Sequence, residues 1–419
     1  MDYANKNNII LELNEKDKDG NYPLLLAIIH SNIEIVLLLM DYANKNNIVL
    51  EINEKYKNGY YPLMIATNYN NFKMIKLLMD YANENNIFLK INEKNEDGDY
   101  SLMVAVYNDS IEIVQLLMEY ANKNNIILEL IGKNKYGDYL LTMAINKNNV
   151  KMVKLLMNYA YKNSIILEIK EKNKYGCYPL FLAIDKNNFE MVKLLIDYAN
   201  ENNIILELNE KDQDGNYPFL LAIIHSNIEI VLLLMDYANK NSIVLEINKK
   251  NKNEYYPLLF SIIKNNIEMV QLLMDYANKN NIILELNEKD KNGNYPLLFA
   301  IIHSNIEIVL LLMDYANKNN IVLEINEKKK DGYYPLLFSF IKNNIEMVQL
   351  LMDYANKNNI ILELNEKDKD GNYPLLLAII HNNIEIVLLL MDYANKNNII
   401  LKINEKDKNG YYSFFIFYY

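Results

Sequence analysis

Apolar and polar positions fall in blocks along this chain. Between Gly20 and Asn53 it reads "GNYPLLLAIIHSNIEIVLLLMDYANKNNIVLEIN". The run "PLLLAII" is apolar almost all round, which predicts a short, buried helix. Pro23 suits its first turn, where a missing N–H costs nothing. "HSN" breaks the run, and Asn32 can cap the next helix. "IEIVLLLMDYA" predicts that second, longer helix, with Glu34 in the first turn, where the helix dipole favours an anion. "NKNN" ends it, because Asn tolerates a left-handed C-terminal conformation. "IVLEIN" predicts a short extended segment, a strand leading into the charged turn "EKYKNG", whose Gly accepts positive φ.

The block recurs every 39 residues, without insertion or deletion. Pro marks it at 23, 62, 179, 218, 257, 296, 335 and 374, and Ser101, Leu140 and Ser413 fill the remaining slots. A helix pair this short cannot bury its own apolar surface, but stacked on neighbours it can. The expectation is one continuous array over residues 1–419, about ten helix pairs with a truncated repeat at each end. Residue 1 aligns with Met40, late in a second helix, and "GYYSFFIFYY" stops within a first helix. This has two readings: a fragment of a longer array, or an aromatic tail that caps the stack or joins it end to end with another copy.

The unit resembles the ankyrin repeat, whose pattern runs D-x-x-G-x-T-P-L-H-x-A-A, then E-V-V-x-L-L-L, then G-A-D. Asp17, Gly20, Pro23, Leu24 and Ala27 match the first part, and Glu34, Ile35, Val36, Leu38, Leu39 and Met40 the second. The resemblance spans essentially the whole chain. It implies an all-α, ankyrin-type solenoid of stacked helix–turn–helix repeats with short β-finger turns. It also implies non-catalytic protein–protein interaction, on a concave face lined by finger tips and first-helix ends. The departures are Tyr22 for the family's Thr, Leu25 for its His, and six extra residues after Met40. The two substitutions remove hydrogen bonds that tie repeats together in the family.

Tyr fills the Tyr22 position in every copy through Tyr412, and the Tyr3 position in every copy through Tyr393. Columns that do not vary along a stack read as structural ladders, with rings between layers and hydroxyls near the surface. Ala43 and Ile48 are equally fixed, and within the complete repeats Ala27 varies only to Ser261 and Ser339.

Variation concentrates in repeats two to five. The Ile29–His30 positions become Asn68-Tyr69, Tyr107-Asn108, Asn146-Lys147 and Asp185-Lys186, whereas flanking repeats carry Ile-His or Ile-Lys. The Asp19 position is Asp or Asn except at Tyr136 and Tyr175. Exposed Tyr among polar groups makes an adaptable contact surface. The candidate partner-binding residues are therefore Tyr69, Tyr107, Tyr136, Lys147, Tyr175, Asp185 and Lys186. Drift after duplication is the rival explanation, because the second half alternates two sub-types with a 78-residue superperiod.

Composition narrows the partners. Net charge is −11 and every basic residue is Lys. Without Arg there is no bidentate reading of phosphate or guanine, so nucleic acid is not an expected partner. No apolar run reaches the ~20 residues that span a bilayer, so no membrane partner is expected. Cys177 is the sole cysteine, which fits a reducing, cytoplasmic setting without excluding the nucleus. The triplet Asn108-Asp109-Ser110 lacks an export signal that would make it a glycosylation site. His30, His225, His303 and His381 share one repeat position, at least two layers apart, on the order of 20 Å and too far to share a metal. No catalytic residue, cofactor or metal is expected.

Overall fold

The computed structural model describes residues 1–7, 9–173 and 175–411. The aromatic tail, with Tyr412 and Ser413, lies outside them. Two compact units, Met1–Glu207 and Leu208–Tyr419, each hold five helix pairs. In the first, short helices Pro23–Ile29, Pro62–Asn68, Ser101–Tyr107, Leu140–Asn146 and Pro179–Asp185 alternate with Ile33–Lys45, Phe72–Glu84, Ile111–Lys123, Val150–Lys162 and Phe189–Glu201. A short helix, Asp2–Lys6, precedes them. In the second, Pro218–Ile224, Pro257–Ile263, Pro296–Ile302, Pro335–Ile341 and Pro374–Ile380 alternate with Ile228–Lys240, Ile267–Lys279, Ile306–Lys318, Ile345–Lys357 and Ile384–Lys396.

Local chemistry sets these bounds. Tyr22 is extended, with φ −135° and ψ 160°, and Pro23 starts the helix with no side-chain cap. Asn32 does cap the longer helix, its Oδ1 accepting from Ile35 N at 3.0 Å. The longer helix ends in a Schellman turn. Asn47 takes φ 54°, and Ile48 N donates to Ala43 O at 2.8 Å. The two invariant residues Ala43 and Ile48 are therefore the two ends of one bond. The same bond links Ile126 to Ala121 and Ile282 to Ala277, each at 2.8 Å.

The core runs down the stack. Leu24, Ala27 and Ile28 of the first helix and Val36, Leu39 and Ala43 of the second are all buried, as are Leu50 and Ile52 from the segment that follows. Each fully buried Leu or Ile contributes about 1.5–3 kcal/mol, so neighbouring repeats depend on each other for most of their stability.

Two expectations need correction. "IVLEIN" forms no strand among the described residues: it runs without a ladder to Glu51 and turns at Ile52–Asn53. Helix layers stand about 8–10 Å apart, roughly twice the ~4.8 Å of a strand ladder, so adjacent extended segments cannot pair directly. An Asn side chain spans the gap instead. Asn248 Nδ2 donates to Ile283 O at 2.7 Å, and its Oδ1 accepts from Glu285 N at 3.3 Å. Asn14, Asn53, Asn92, Asn209, Asn287 and Asn326 repeat the bridge.

The tyrosine hydroxyls are the second correction: most turn inward and tie repeats together, while those of Tyr22 and Tyr100 are buried without a partner. Tyr217 Oη donates to Glu246 O at 2.7 Å, and Tyr295 Oη to Glu324 O at 2.8 Å. Tyr81 Oη accepts from Leu50 N at 3.0 Å, and Tyr276 Oη from Leu245 N at 3.2 Å. These bonds stand in for those lost with Thr and His.

Candidate functional site

Most fingers are tight turns built on one Asp or Asn side chain at the base; Tyr56 and Lys329 stand there in two others, whose backbone bonds close the turn. In the first, Asp17 Oδ1 accepts from Asp19 N at 2.9 Å and Asn21 N at 2.8 Å, while Asn21 Nδ2 donates to Asp17 Oδ2 at 2.8 Å. The charge is spent inside the turn, and Asn21 holds it there. Asp290–Asn294 and Asp368–Asn372 repeat the arrangement.

Two central fingers exchange the pair. Asn95 stands at the base and Asp99 at the exit; likewise Asn134 and Asp138. The amide builds the same turn. Asn95 Oδ1 accepts from Asp97 N at 2.9 Å and Asp99 N at 2.8 Å, and Asn134 Oδ1 accepts from Tyr136 N at 3.0 Å and Asp138 N at 2.9 Å. Turn geometry survives, but the carboxylates move to the turn exit.

There they line a cavity of about 360 Å³. Its walls include Tyr60, Tyr107, Tyr136, Asp99, Asp138 and Asn134, with the buried Met103, Val104 and Met143 supplying apolar surface. Tyr107 and Tyr136 are 63% and 51% exposed. Asn134 Nδ2 donates to Asp99 Oδ1 at 3.0 Å, joining the two fingers. Burial pushes the Asp99 carboxyl above its usual range; the Asn134 bond opposes the rise, and the Asp97 and Asp138 charges add to it. At the rim, Lys147 Nζ sits 4.8 Å from the Tyr107 ring centre. Lys135 Nζ sits 5.2 Å from the Tyr136 ring centre and pairs with Asp97.

The structure thus brings Tyr107, Tyr136 and Lys147 together. Tyr69 is exposed and follows Asn68, which lines the cavity, but is not itself on the wall. Tyr175, Asp185 and Lys186 belong to the next repeat and lie outside the lining. The repeat pattern alone does not single out Tyr60, Asp99, Asp138, Asn134, Met103 or Met143. The Asp/Asn exchange is the available signal, visible once fingers are aligned by base and exit. The same repeats also interrupt the asparagine bridge, with Ile131 and Lys170 in its column. Lys170 instead pairs with Glu207 at 2.8 Å.

Cys177 is half-buried in its finger, its Sγ 3.9 Å from Tyr175 O. The four histidines follow the last residues of four short helices. Among the described residues no three His, Cys, Asp or Glu side chains converge on a metal position, and no helix is long and apolar enough to cross a membrane.

A family model described as ankyrin repeats, three copies, matches seven overlapping stretches: 3–88, 46–127, 83–166, 120–205, 162–244, 242–322 and 317–400. No curated protein matches the chain. Among solved structures, one similar chain is the ankyrin repeat domain of Bcl-3, titled a unique member of the IkappaB protein family. It is 19% identical, spans 61% of this chain and 99% of its own, and superposes with a TM-score of 0.44. With the family pattern running from residue 3 to residue 400, this chain belongs to the ankyrin-repeat family.

Proposed function

We propose that this chain is a non-catalytic interaction module that receives a protein partner on the finger and first-helix surface of repeats two to five. Ankyrin repeats are generally protein–protein interaction modules, which supplies the coarse reading. The observation that carries the finer one is the cavity. Tyr107 and Tyr136, two positions where the repeat pattern is broken, line it together with Asp99 and Asp138. Drift scatters substitutions without regard to where side chains converge. The turns that hold these groups are closed by their own hydrogen bonds, so little ordering cost falls on binding.

The 39-residue period continues without interruption through residue 207, which supports reading both units as parts of one array. A lone Cys177, unable to form an internal disulfide, supports an intracellular setting.

Affinity capture from native lysate tests the reading. The baits are the native chain, a variant with Tyr69, Tyr107, Tyr136 and Tyr175 changed to Ser, and a chain whose repeats two to five are copies of residues 209–247. A protein held by the native chain and lost from both variants, at unchanged helicity, is the expected result. Equal capture by all three would overturn it.

A further inference from the structure

The cavity's lining points to the chemistry of what fills it, an inference that rests on the interaction reading above. Its surface mixes three tyrosine rings, two methionines and two carboxylates. In the fingers that keep the usual order, the carboxylate lies at the turn base and Asn at the exit. At Asp99 and Asp138 the exchange keeps the backbone bonds of the turn and moves the negative charge to its exit, while the Asn95 Nδ2 at one turn base is left buried without a partner. Asp99 gets one neutral amide donor, Asn134 Nδ2, which cannot neutralise it. Lys135 of the same turn pairs with Asp97 and lies over the Tyr136 ring; its charge offsets only part of the rise that burial and the Asp97 and Asp138 charges impose on Asp99.

A half-enclosed carboxylate pair beside aromatic faces is complementary to a cation with an apolar stem. Tyrosine faces attract ammonium and guanidinium groups, and carboxylates pair with them. The chain already gives one instance at the rim, where the Lys147 ammonium lies 4.8 Å from the Tyr107 ring centre. The apolar surface of Met103, Val104 and Met143 suits methylene groups, as long basic side chains require. An anionic or wholly apolar occupant would leave Asp99 and Asp138 uncompensated in a partly dry site.

We propose that the cavity between Tyr107 and Tyr136 receives a lysine or arginine side chain presented by a basic segment of the protein partner, with Asp99 and Asp138 as its counter-charges. Lys147 then marks the rim and competes for Tyr107 rather than filling the cavity.

The test uses the full chain with ¹³C-methyl-labelled methionine, Met103 and Met143 being assigned through M103L and M143L. The probes are the N-acetyl, N′-methylamide derivatives of lysine and arginine, with the norleucine derivative as uncharged control. A saturable shift of the Met103 and Met143 methyls by a basic probe, absent with norleucine, is expected. D99N/D138N should weaken it by about tenfold or more. Uncharged exit residues already stand on an Asn base at Cys177 and Tyr255, whose N–H groups donate to Asn173 Oδ1 and Asn251 Oδ1, so the double variant keeps a compatible turn. Equal shifts with norleucine, no shift at either methyl up to probe solubility, or undiminished binding by D99N/D138N would overturn the proposal. Capture separates this from the interaction reading. A partner lost when repeats two to five are replaced, yet still held by D99N/D138N, leaves the module standing and removes the cation.

Discussion

The Tyr217 hydroxyl donates to Glu246 O at 2.7 Å, joining one repeat's first helix to the extended segment 29 residues further on. The same hydroxyl lies 3.1 Å from Lys249 O, so one buried group serves two carbonyls of the next layer. Tyr100 carries the same ring in the same position, but its hydroxyl is buried without a hydrogen-bond partner. Tyr22 is likewise buried without a partner, although the segment it faces keeps the usual Asn53-Glu54. Tyr217→Phe should therefore cost about 1–2 kcal/mol, the net bond plus acceptors left unsatisfied. Tyr100→Phe should fall within about 0.5 kcal/mol of neutral, or stabilise. Urea midpoints at unchanged m-value read both. Equal losses would contradict the assignment.

The asparagine bridge makes a paired prediction. Asn248→Ala removes both links to Ile283 O and Glu285 N. Solvent reaches these groups, so a loss of about 0.5–1.5 kcal/mol is expected. Ile131→Asn supplies the missing rung and should raise stability by about 0.5–1 kcal/mol. Amide exchange at Glu168, the N–H such a rung would reach, should slow in that variant.

Alkaline pH should weaken the stack. Burial pushes the hydroxyls of Tyr100, Tyr139, Tyr217, Tyr256, Tyr295 and Tyr334 well above their ordinary value near 10. The unfolded chain releases these protons near pH 10, whereas the folded chain retains them to higher pH. Above pH 10 the unfolded state binds fewer protons, so stability falls as pH rises. Below pH 10 this contribution is fully present. The urea midpoint should hold steady from pH 8 to about 9.5 and then drop, together with the appearance of tyrosinate absorbance. A midpoint flat through pH 11 would contradict it.

The cavity's acidity should come at a cost to folding. Since burial raises the Asp99 pKa, its ionised form is disfavoured in the folded state. Stability from this group is present below the unfolded pKa, near 4, and declines as pH rises through the folded value. Asp99→Asn should therefore be slightly more stable than the native chain at pH 7, and the gain should vanish near pH 3. The group is only half-buried, so the gain is small. A loss of stability at pH 7 would mean that the carboxylate serves the turn after all.

Much of this fold is legible in the sequence because each repeat tests the others. Ala43 and Ile48 do not vary, and they turn out to share the bond that ends the longer helix. Asn32 and Pro23 mark helix starts by local chemistry alone. Long-range geometry is less visible. Nothing local says that Tyr217 reaches a carbonyl 29 residues away, so its hydroxyl reads as a surface group from the sequence. Nor does an extended, β-branched segment reveal that its neighbour stands too far off for a ladder. At the candidate site, Tyr107 and Tyr136 stand out because they break a column. Asp99 does not, since Asp and Asn trade places freely in turns; only the finger's hydrogen bonds show that the exchange relocates a charge.

Hydrogen–deuterium exchange on the full chain, with and without the protein it captures, tests the central claim most directly. The account predicts slowed exchange in residues 97–108 and 134–147 on binding, lost together with binding when Tyr107 and Tyr136 are changed to Ser. Protection confined to the longer helices, or to the fingers between 250 and 340, would place recognition elsewhere and contradict it.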